Sequence, residues 1–119
     1  MTKAVLRIRR NTDAVLADMG KRFAAAWKSG RSSAHVFTFE SPAALFRVLS
    51  PKRWELLERL QSLGPSSLRG LARSLERDVK RVHEDVAALT EVGLIEKTAH
   101  GQIHVPFEVI EADFELRAA

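Results

Sequence analysis

Lys80 and Arg81 stand side by side inside Val79–Glu91, a stretch whose valines and leucine recur at helical spacing. Both side chains donate hydrogen bonds and accept none, so their natural partners are phosphate oxygens and the O6/N7 edge of guanine. Arg77 and Asp78 precede this pair, and His83 and Glu84 follow within a turn. Ser67, Arg69 and Arg73 lie just upstream, while His100 and Gln102 flank Gly101 downstream. These eleven residues form the candidate set for contact with a polyanion, and double-stranded DNA is the default partner for such chemistry. For Lys80 and Arg81 the alternative is a solvated helix face; for His100 and Gln102 that plainer reading is preferred.

Other chemistry finds little to build on. The chain has no cysteine, which excludes a disulfide framework, a thiolate zinc site and a thiol nucleophile. His100 and His104 are four apart but flank a turn glycine, so they do not share a helix face. His35 sits at a strand start, and His83 lies near Glu84 and Asp85 but with no cysteine to complete a metal-sensing cluster. No phosphate-binding glycine loop, acid pair or Ser/His/Asp arrangement is evident. The reading is therefore of a non-enzyme with neither metal nor cofactor. Trp27 and Trp54, in amphipathic stretches, are assigned to core or interface.

The elements that must position the candidate residues are legible from spacing. Leu68, Leu71, Ala72 and Leu75 line one face of a helix over 68–75, and Val79, Val82, Val86 and Leu89 line one over 79–91. Glu76-Arg77-Asp78 joins them. Asp78 is placed to cap the second helix, and a positive φ at Glu76, where glycine is common in such turns, would be strained. Two short helices around a tight link predict a helix-turn-helix. Gly93 ends the second helix. Leu94–Thr98, the turn Ala99-His100-Gly101, and Gln102–Val105 then predict a hairpin, completing a winged-helix order. Upstream, Ser41-Pro42 and Ser50-Pro51 each open a helix. The second, Trp54–Leu63, carries Leu56, Leu57, Leu60 and Leu63 as its stripe, and Gly64-Pro65-Ser66-Ser67 breaks the chain.

The stretch LARSLERDVKRVHEDVAALTEVGLIEK resembles the MarR-like and ArsR-like winged-helix regulators. Phe39–Val105 looks more closely like a prokaryotic family of predicted transcriptional regulators, some of them encoded beside toxin genes. That resemblance implies a DNA-binding regulator whose second motif helix enters the major groove. It also implies an antitoxin role with a toxin partner protein as the alternative.

Outside the motif, Val5–Arg9 alternates as a strand with Leu6 and Ile8 on one face. Ala14–Lys28 reads as a helix stopped by Gly30, His35–Glu40 as a strand, and VIEADFEL from Val109 as another. The expected fold class is α+β: a strand-helix-strand extension (1–41), a winged helix-turn-helix (42–106) and a C-terminal strand packing on the extension (107–119). This accessory sheet is expected to build a homodimer interface, or else to cover the core.

Charge is unevenly spread. Residues 1–60 carry twelve Lys/Arg against five Asp/Glu, and residues 61–119 seven against ten. Arg7, Arg9 and Arg10 either contact DNA flanks or pair with Glu108, Glu111, Asp113 and Glu115 across strands. The motif itself, 61–102, is neutral, with Glu84 and Asp85 on its second helix. That balance is what keeps a protein-binding role open, with DNA binding secondary. No apolar run approaches the ~18 residues of a membrane span, and the charged N-terminus is unlike a secretory leader. A cytoplasmic location is expected.

Overall fold

The computed structural model describes residues 2–9 and 34–115. In chain order their elements are β1 (Lys3–Ile8), β2 (Ala34–Phe39), α1 (Pro42–Val48), α2 (Pro51–Leu63), α3 (Leu68–Leu75), α4 (Val79–Val92), β3 (Glu96–Lys97), β4 (Ile103–His104) and β5 (Val109–Ala112). The protein is thus α+β. The helix expected over Ala14–Lys28, its stop at Gly30, Arg10 and Leu116 lie outside the described residues. The chain divides into two units, one of residues 1–46 with 108–119 and the other of residues 47–107.

The first unit is built on a three-stranded sheet in the order β2-β1-β5, with both neighbours parallel to β1. The register sets Lys3 opposite Ala34 on one side and opposite Val109 on the other. Ala4, Val5 and Leu6 are buried in succession, at 0%, 4% and 0% exposure. A one-sided strand would alternate, so the expected separation of faces at Val5–Arg9 gives way to a central strand buried on both faces. The pairing with β5 ends at Leu6↔Ala112, and Asp113, a poor strand former, follows it. The strand expected through Leu116 therefore stops early. Phe114 instead sets its ring edge-on to Phe46, with centroids 6.2 Å apart and planes at 71°. Lys3 Nζ meets Glu111 Oε2 at 2.9 Å, which brings the basic N-terminal and acidic C-terminal segments together through a lysine that spacing did not single out.

In the second unit each helix is fixed by its own ends. Ser50 caps α2 by accepting from the Arg53 N–H, Pro51 occupies the first turn, and Gly64 closes the helix at φ 76°. Leu56, Leu57 and Leu60 are buried, but Leu63 is 46% exposed. Leu63 is the last helical residue, and the buried part of the stripe ends at Leu60. Ser67 caps α3, accepting from Gly70 N at 3.0 Å, and Leu71 and Ala72 face the core while Leu68 and Leu75 are half-buried.

Val82, Val86 and Leu89 anchor α4, whereas Val79, expected among them, is 40% exposed. Leu94 and Ile95 follow Gly93 into the core, and β3 pairs antiparallel with β4. Their strands are shorter than the alternation suggested. Part of the ladder passes to Ser66, which exchanges both backbone bonds with Ile103 at 2.9 Å. Among the described residues no helix is long and apolar enough to cross a membrane.

Candidate nucleic-acid interface

The α4 surface follows from helical arithmetic. At about 100° per residue, Val82, Val86 and Leu89 occupy one side, and Lys80 and Glu84 point the opposite way. Arg81 and His83 flank that outward direction. All four of these polar residues are exposed. The helix therefore offers two cations near its N-terminal end, where unpaired backbone N–H groups also favour anions.

The approach to α4 is a chain reversal at Glu76, which takes φ 53° and ψ 44° and is the one non-glycine with positive φ among the described residues. Glu76 N donates to Arg73 O and Arg77 N to Ala72 O, both at 3.1 Å, closing α3 with a left-handed cap. Asp78 then accepts from Arg81 N at 3.4 Å. Its carboxylate thus starts α4 as a cap, as spacing anticipated, and is occupied there.

Arg77 is placed differently from expectation. Its side chain is only 16% exposed, and Nη2 donates to Asp85 Oδ2 at 2.7 Å. Arg53 Nε donates to Oδ1 of the same carboxylate at 3.0 Å, and its Nη1 reaches Val48 O at 2.8 Å. Arg77 therefore turns inward to tie the α3–α4 link to α4 instead of facing a phosphate. Asp85 leaves the presented surface with it, so one of the two acids that weighed against an anion site is internal. Burial works to raise the Asp85 carboxyl. The hydrogen bonds and charges of Arg77 and Arg53 outweigh it and hold the group below the ordinary aspartate value. No spacing rule links Arg53 to a residue on α4, and this is the part of the site that sequence reasoning misses.

Arg69 and Arg73 are exposed and stack four apart on α3, with Ser67 held at the start of that helix as its cap. At the hairpin tip, Thr98 Oγ1 accepts from His100 N at 3.3 Å and Gln102 N at 3.2 Å, and Gly101 turns the chain at φ 79°. His100 and Gln102 are exposed at this tip. Of the eleven candidates, nine are thus exposed on the two helices, at Ser67 or at the hairpin tip; Asp78 is exposed but acts as a cap, and Arg77 is internal. No metal-ligating cluster of His and acids is found among the described residues.

Residues 48–112, more than half of the chain, match the profile of the HVO_A0114 family. The chain belongs to that family. The HVO_A0114 match takes in α2, α3, α4 and the β3–β4 hairpin, and extends through β5. No curated protein and no solved structure matches the chain.

Proposed function

We propose that this protein is a winged-helix transcriptional regulator that binds double-stranded DNA in a sequence-specific way, as a repressor, with α4 as its recognition helix. The observation that carries this reading is the exposed N-terminal half of α4. There Lys80 and Arg81 face outward while Val82, Val86 and Leu89 hold the opposite side in the core. A helix so anchored fits the width of the major groove, with the cations reaching guanine edges or phosphates. Arg69 and Arg73 on α3 serve as backbone contacts. The β2-β1-β5 sheet supplies the dimer contact that a two-fold operator calls for. A cytoplasmic location follows from that role.

The test is fluorescence anisotropy of the full chain against a duplex from its own upstream region and a scrambled duplex, at two salt concentrations. Tighter binding to the upstream duplex at both salts is expected. Equal, salt-sensitive binding to both would reduce the surface to nonspecific polyanion attraction. Glu84 and Glu91, exposed on the same helix, favour one second reading: an antitoxin-like module that engages a basic face of a partner protein. Absence of DNA binding, with co-purification of a neighbouring gene product, would select it.

A further inference from the structure

Val79 is the first residue of α4, and its spacing places it in the apolar stripe. Yet it is 40% exposed, while Val82, Val86 and Leu89 further along the stripe are at 0%, 5% and 0%. Side chains on a helix lean toward its N-terminus and cover the turn before their own. Val79 has no preceding turn of its own helix to cover, so part of its isopropyl group stays open at the helix start. It stands there beside Lys80 and Arg81, both exposed. A β-branched side chain in this place is stiff and adds an apolar surface among cations. In the major groove one base edge offers an apolar partner, the C5-methyl of thymine.

We infer that Val79 is a specificity-determining residue whose isopropyl group packs on the C5-methyl of a thymine beneath the N-terminus of α4. This rests on the DNA-binding reading above. The neighbouring cations hold phosphate or guanine, and Val79 adds the discrimination of thymine from cytosine, which lacks that methyl. Its partial exposure also helps to separate the site from folding, since truncation here removes less buried surface than at Val82 or Val86.

The experiment compares the full-length protein and Val79→Ala on the upstream duplex in two forms, one with thymidine and one with deoxyuridine throughout. Deoxyuridine removes the methyl and leaves the hydrogen-bonding edge intact. The wild type is expected to lose about fourfold in affinity for each thymine methyl that Val79 covers. Val79→Ala should bind the thymidine duplex correspondingly more weakly, lose no more on the uridine duplex, and still unfold cooperatively within a few degrees of the wild type. A wild type indifferent to the methyl, or a variant with the same uridine loss as the wild type, would overturn the assignment and leave DNA binding standing. A wild type that fails to prefer the upstream duplex over the scrambled one would overturn both.

Discussion

The helices α2, α3 and α4 close all six of their ends with residues of their own neighbourhood: Ser50, Ser67 and Asp78 at the starts, Gly64, Glu76 and Gly93 at the stops. The β2-β1-β5 sheet has no such local closure. It sets Lys3 beside both Ala34 and Val109, so its order depends on segments far apart in the chain. Helices that fix their own ends lose stability in small, separable amounts when one cap is changed. A sheet whose central strand is buried on both faces depends on that strand as a whole.

The largest effects should come from the central residues of each unit. Leu6 in β1 and Leu89 in α4 are both at 0% exposure. Leu6→Ala and Leu89→Ala should each cost about 3 kcal/mol by urea denaturation. Amide exchange would then show the difference between the units. Leu6→Ala should speed exchange along β2 and β5 together, because both ladders hang on β1. If exchange rose only within β1, the sheet would be less dependent on its central strand than its pairing implies.

Breaking the Arg53–Asp85–Arg77 cluster comes next. Asp85→Asn removes the charge that compensates two largely buried guanidiniums, and should cost about 2 kcal/mol at neutral pH. The sign of the pH dependence is set by the direction of the shift. Because the folded carboxyl lies below its ordinary value of 3.8, its contribution is complete above that value and is lost as pH falls through the lower, folded value. Urea titrations should therefore show the wild type and Asp85→Asn converging as the solution is acidified. Parallel curves down to the acid limit would assign the loss to packing and not to charge.

Replacing Lys80 and Arg81 by alanine addresses the exposed side of the same helix. Both residues lie on the solvent face, so the melting temperature should hold while affinity for the upstream duplex falls about tenfold or more. The slope of log affinity against log salt should shrink by roughly one for each phosphate that is no longer neutralised. Unchanged affinity would place the interface elsewhere and strengthen the protein-partner reading.

What is legible from residue types tracks the same division. The caps at Ser50, Ser67 and Asp78, the stop at Gly93 and the full extent of Leu68–Leu75 are readable because each signal lies within a turn of the structure it controls. Leu63 and Val79 fall outside the buried stripes that their spacing predicts, because periodicity records direction and not where a helix leaves the core. The parallel pairing of β1, the Ser66–Ile103 bridge and the Arg53–Asp85 contact depend on tertiary neighbours that no local pattern names. Within the candidate interface the exposed cations are therefore legible, but the inward turn of Arg77 is not.

Glu76 provides the smallest and most discriminating test, because it is a stop made from the wrong residue type. Gly93 ends α4 at φ 106°, a backbone that glycine adopts freely, while Glu76 ends α3 at φ 53° with a full side chain. A left-handed non-glycine residue costs roughly 1–2 kcal/mol. Glycine would relieve this but gain freedom in the unfolded chain, which offsets about half to one kcal/mol of the benefit. Glu76→Gly should therefore stabilise the protein by about 0.5–1 kcal/mol, whereas Gly93→Ala should destabilise it by about 1 kcal/mol. The same Glu76→Gly change removes an acid three residues ahead of Val79, so DNA affinity should hold or rise. If Glu76→Gly were instead destabilising, the carboxylate would have to contribute more than the backbone strain it imposes. Local closure of α3 would then depend on a charge contact as well as on chain geometry.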